Sequence, residues 1–174
     1  MLTIHETYGE FLAEEAENDP NYKGCLFTTI TAPLYWWREL EEHGPMVYFV
    51  HITSDFMVRD FQLSDFSHEQ LDLSYPRENL DCTIHALNSL RNAYLQTGEP
   101  SYSQQIFKLL PLSYNDTRIV QFDYSLLLDI YSQHFDDEFF SEWDTLCNWI
   151  REILRLTPTK EDFKAVKDFV REKL

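Results

Sequence analysis

The stretch TITAPLYWWRELEEHGP, residues 29–45, brings together side chains with very different chemical uses. β-Branched residues lead through Ala32-Pro33 to adjacent tryptophans, Trp36 and Trp37, and the chain then turns charged at Arg38, Glu39, Glu41, Glu42 and His43. Exposed indoles can stack a planar base, whereas buried ones are ordinary core. His134, Asp136 and Asp137 are close in sequence but straddle an expected helix end, and no H-E-x-x-H or paired-cysteine motif accompanies them. They read as a solvated acidic turn, and no metal site is expected. No G-x-S-x-G elbow is present, and no cysteine has a basic neighbour to lower its pKa, so no catalytic nucleophile is expected either. The segment HFDDEFFSEWD interleaves acids with aromatics. It reads as an amphipathic helix burying Phe139, Phe140 and Trp143, or as a strip that imitates nucleic acid in a basic groove of another protein.

Charge narrows the choice of partner. Thirty acids against fourteen Lys and Arg give a formal net charge of −16 in 174 residues. Nucleic-acid and anionic-membrane binding rely on cationic side chains, so both are excluded as direct partners and a basic protein surface is favoured. No apolar run reaches the roughly 18 residues of a membrane span, and the N-terminus has no secretory pattern. The three cysteines, Cys25, Cys82 and Cys147, are widely spaced and read as reduced thiols of a cytoplasmic protein.

Those side chains must be positioned by the elements around them. Length predicts one domain, and the patterning predicts a mostly helical α+β fold with a small β-sheet. Ile4 to Asn18 reads as an acidic helix, part of an N-terminal helical unit over 1–20. GCLFTTITA and MVYFVHIT read as strands, with a helix from Leu34 to Glu42 between them, begun by Pro33 and stopped by Gly44-Pro45. In SDFSHEQL, Ser64 or Ser67 is a candidate helix cap. Leu80, Ile84, Leu87, Leu90 or Arg91, Tyr94 and Leu95 mark a helix from Pro76 to Gln96, with Gly98 at its C-terminal cap. Further helices are expected over 102–110, 125–134, 138–154 and, beginning at Thr159, over the C-terminal unit 157–174. TRIVQFDY supplies another strand.

Two segments, together about half of the chain, resemble the flavin-dependent thymidylate synthase (ThyX-type) family. ITAPLYWWRELEEHG resembles the family's strand-to-helix passage ending in Arg-His-Arg. IFKLLPLSYNDTRIVQFDYSLLLDIYSQHFDDEFFSEWDTLCNWI resembles its Leu-Pro turn, following strand, helix and tryptophan-centred final helix. TAPLYWW is similar to a divergent, phage-associated branch. The resemblance implies a ThyX-like domain with its core over 23–154. It also implies an ancestral activity that methylates dUMP with reduced flavin and a folate donor, in a homo-oligomer whose sites lie between subunits.

Residue by residue, the family's cationic ligands are depleted. Arg-His-Arg falls on Glu42-His43-Gly44, so the histidine alone remains. The arginine before Leu-Pro falls on Phe107, beside Lys108. The asparagine of the strand-to-helix turn falls on Asp123, and a later nucleotide-contacting arginine falls on His134. The family's Ser and Asn positions have only Thr53 or Ser54 as replacements. Few residues precede the first matched strand, so the family's N-terminal flavin-contacting segment is expected to be missing. Each charge-assisted phosphate contact contributes roughly 1.5–3 kcal/mol, which Phe and Glu cannot supply.

The expectation is therefore a catalytically inactive homologue with no catalytic residue and no cofactor, acting as an acidic protein-binding inhibitor, with phage anti-defence as one setting. The alternatives are an active FAD-dependent enzyme methylating dUMP and a nucleotide-sequestering protein. If a ligand site was rebuilt, its candidates are Arg38, His43, His51, Lys108, Arg118, Asp123 and His134, with Trp36 and Trp37 for stacking.

Overall fold

Alternation along Cys25–Pro33 (β2) and Asn115–Asp123 (β4) sets the centre of the molecule. On β2, Leu26, Thr28, Ile30 and Ala32 are buried. Antiparallel register places them opposite Phe122, Val120, Arg118 and Asp116 of β4. The computed structural model describes residues 1–8, 25–44, 47–51, 57–69, 71–136 and 140–154. Val47–His51 (β3) pairs with β4, and Thr3–Tyr8 (β1) pairs with β2, completing a four-stranded antiparallel sheet in the order β1-β2-β4-β3.

β1 corrects the helix expected from Ile4. Threonines recur at Thr3 and Thr7, and their partners on β2 are Thr31 and Thr28. The edge is stitched by His5 Nε2 and Thr31 Oγ1 at 2.8 Å and by Thr28 Oγ1 donating to the Glu6 carbonyl at 3.0 Å. Cross-strand pairs of this kind override the weak helical tendency of the acids nearby. The rest of the expected N-terminal helix and the expected C-terminal helix after Thr159 lie outside the described residues.

Five α-helices are present among the described residues: Leu34–Glu41 (α1), Ser74–Thr97 (α2), Pro100–Leu109 (α3), Tyr124–His134 (α4) and Ser141–Ile153 (α5). α1, α4 and α5 bury Trp36, Trp37, Leu40, Leu127, Ile130, Trp143, Leu146 and Ile150 with the inward sheet residues in one core. α2 and α3 form a hairpin over a second cluster of Phe61, Phe66, Leu80, Leu87, Ile106 and Tyr114. Gly98 caps α2 at φ 68°, a left-handed conformation that costs glycine little. Arg91, rather than Leu90, takes the buried place on α2, and it donates to Asp60 Oδ1 at 2.7 Å. Neither Ser64 nor Ser67 caps a helix. Gln62 and Asp65 instead cap each other around a single 3-10 turn, Leu63–Asp65.

The junction in the opening stretch is held by the Leu-Pro turn. Strand β2 runs straight into α1 at Pro33, and the first helical N–H groups have no partner within the helix. Leu34 N donates to the Tyr114 carbonyl and Tyr35 N to the Leu112 carbonyl, both at 2.9 Å. The two segments that resemble one family thus meet in space.

Candidate functional site

His43 follows the last turn of α1, where its own N–H donates to the Leu40 carbonyl at 3.2 Å. Gly44, at φ 135°, then turns the chain away. His134 is the final residue of α4, and Trp143 stands on α5. The three rings converge. His43 Nε2 and His134 Nε2 are 2.8 Å apart, and His134 lies face to face on Trp143 with centroids 3.6 Å apart and planes 10° from parallel. On the other side of His43, Nδ1 is 3.6 Å from Asp129 Oδ2, and that carboxylate accepts from Gln133 Nε2 at 2.8 Å.

The Asp129 carboxylate favours the tautomer with its proton on His43 Nδ1. Nε2 of His43 then accepts from the Nε2–H of His134. The result is a carboxylate–imidazole–imidazole chain that can pass a proton between its rings. Burial lowers the His43 pKa first, and the neighbouring His134 lowers it further, against the pull of Asp129 and Glu42. The chain opens on a cavity of about 330 Å³ lined by Glu39, Glu42, His43, Asp129, Gln133 and His134. Three of these six lining residues are carboxylates and none is Lys or Arg.

Of the residues that sequence singles out, only His43 and His134 are brought together. Arg118 is drawn into the core: only 7% exposed, it donates from Nε to Asp116 Oδ2 at 2.7 Å and from a terminal nitrogen to Glu41 Oε1 at 2.9 Å. Its guanidinium lies 4.6 Å from the Trp37 ring centroid. Trp36 and Trp37 are both 0% exposed, stack edge-on to each other and leave no face for a base. Trp37 Nε1 donates to the Asp116 carbonyl at 3.1 Å. Asp123 is the N-cap of α4, accepting from Leu126 N at 2.7 Å and from Ser125 Oγ at 2.8 Å. Arg38 is exposed on α1, and Lys108 is exposed in the last turn of α3, on the helical hairpin. The backbone of His51 pairs with that of Arg118; its side chain lies outside the described residues. Asp129, Glu39 and Trp143 complete the pocket, and no local motif marked them as its walls.

No family model matches the sequence, and no curated protein is similar to it. Solved structures are. A UMP/dUMP methylase, PolB from Streptomyces cacaoi, bound with 5-Br UMP, superimposes with a TM-score of 0.58 at 11% identity, covering 87% of each chain. This chain shares the fold of a UMP/dUMP methylase. Thymidylate synthase X from Helicobacter pylori, with FAD and dUMP, gives a TM-score of 0.47 at 13% identity over 74% of this chain and 67% of that one. The likeness to the methylase is one of fold. Within this methylase-like fold the sheet, α1, α4 and α5 supply the scaffold, while the chemistry rests on the side chains present. Those at the His43 pocket do not fit a phosphate or a flavin pyrophosphate, because carboxylates stand where such a group needs donors and positive charge.

Among the described residues no three His, Cys, Asp or Glu side chains group as metal ligands. No described helix is long and apolar enough to cross a membrane.

Proposed function

We propose that this chain is an acidic, protein-binding member of the methylase-like fold whose His43 pocket no longer grips a phosphorylated nucleotide. One observation carries the reading: Glu39, Glu42 and Asp129 surround the His43–His134 pair, and none of the lining residues is Lys or Arg. Arg118, the cation nearest in sequence to the Leu-Pro strand, is committed to Asp116 and Glu41. A net charge of −16 steers such a molecule toward a basic surface, and the association weakens as salt screens it. Its action is to cover that surface, as an inhibitor of a basic host or defence factor does.

Two measurements test this. The purified protein is expected to be colourless between the near ultraviolet and the blue and to show no calorimetric heat with dUMP or FAD. Capture from host lysate is expected to recover a basic partner at low salt and lose it progressively as salt rises. A yellow protein that releases the C5 hydrogen of dUMP would establish the other reading, an FAD-dependent dUMP methylase with sites completed by a second copy. The fold shared with a UMP/dUMP methylase over 87% of both chains is what favours that alternative.

A further inference from the structure

A second cavity, of about 560 Å³, lies on the far side of α1 from the histidine pair's ring contacts, and its lining includes Leu2, Tyr35, Ser67, Glu69, Phe140 and Glu142. Its chemistry is set by Glu142, in the first turn of α5, a carboxylate only 4% exposed. A buried carboxylate is costly unless it is bonded and balanced. Tyr35 supplies the bond, its hydroxyl donating to Glu142 Oε1 at 2.9 Å. Positive charge arrives from an ammonium. The α-amino group of Met1 sits 3.4 Å from Glu142 Oε1 and 3.6 Å from Glu69 Oε1, and it donates to Ser67 Oγ at 3.1 Å. Three acceptors at these distances match the three donors of an –NH3⁺ group, which the flat fork of a guanidinium matches less well. Tyr35 and Phe140, stacked with centroids 5.2 Å apart, form an apolar wall beside it.

We propose that this cavity is a binding site for an alkylammonium group, which replaces the Met1 amine among Glu142, Glu69 and Ser67 and lays its methylene stem along Tyr35 and Phe140. The ammonium comes either from a free amine or from a lysine side chain. The site is separate from the His43 pocket, and the proposal does not rest on how that pocket treats nucleotides.

The test is titration of the full chain with cadaverine, Nα-acetyl-lysine methylamide and 1-hexanol, read by amide proton–nitrogen shifts. Either amine is expected to shift the Leu2, Ser67 and Glu142 amides and to bind at least about tenfold more tightly than the alcohol, which has the stem without the charge. Binding by cadaverine alone identifies a free amine, and binding by the lysine amide identifies a protein side chain; both support the site. Glu142→Gln is expected to remove the preference for amine over alcohol. Equal binding of hexanol and amine to the unaltered protein overturns the proposal, as do shifts confined to other residues. The wild-type comparison stands even where Glu142→Gln perturbs folding.

Discussion

His43 Nε2 and His134 Nε2 lie 2.8 Å apart although 91 residues separate them in the chain. The contact joins the end of α1 to the end of α4 over the Trp143 ring, with Asp129 behind His43 and Glu39 and Glu42 lining the opening.

This pair predicts a pH dependence with a definite sign. Unfolded, the His43 imidazole takes its proton near 6.5; folded, burial and His134 move that event lower despite Asp129 and Glu42. The unfolded chain therefore holds more protons between the two values, so the stabilisation is complete above 6.5 and is lost as pH falls through the folded value. The melting temperature is expected to drop on acidification through that window. His43→Gln is expected to flatten the drop, and an equally steep profile in that variant would refute the assignment.

Arg118 is expected to matter for stability and not for ligand capture. Arg118→Ala leaves Asp116, 2% exposed, without its guanidinium. Loss of one partner from a buried pair costs about 3–5 kcal/mol, measurable by urea unfolding. Arg118→Met combined with Asp116→Asn is expected to recover part of this, since neither charge is then stranded. Full stability in Arg118→Ala would show that the pair is not what holds β4 against α1.

Asp123 has a simpler role. Asp123→Ala is expected to cost about 1 kcal/mol through loss of the α4 cap, while Asp123→Ser, which keeps an acceptor, costs less. Chemical denaturation of the two variants checks the order, and equal losses would argue that the cap bond contributes nothing.

Trp36 packs against Trp37 and Trp143 with ring centroids 5.2 and 5.3 Å away. Trp36→Ala is expected to destabilise by about 3–5 kcal/mol, the usual range for emptying a large core site. A loss below 1 kcal/mol in denaturant unfolding would be incompatible with the packing described.

Much of the architecture was readable from local pattern. Strand alternation marked β2 and β4, three-and-four spacing marked α2, and Gly98 and Pro111 marked helix ends. β1 was not readable, because Thr3–Tyr8 is an edge strand whose outward residues are mostly exposed and whose identity depends on threonine partners in β2. The paired caps Gln62 and Asp65 were missed because serine is the stronger local cap signal. Arg118 could have been placed inward from its alternation with Val120 and Phe122, yet nothing local announced Glu41 and Trp37 as its company.

By itself the sequence determined the −16 charge, the periodicities of strand and helix, and the scarcity of cations at positions resembling a nucleotide site. The tertiary structure alone decided that His43 meets His134, that Arg118 is tied off and that Glu142 is buried beside a cavity. Periodicity is a property of neighbours along the chain and survives in one dimension. The strength of a charge or a proton shift depends on burial and on groups brought close through space, and those exist only once the chain has folded.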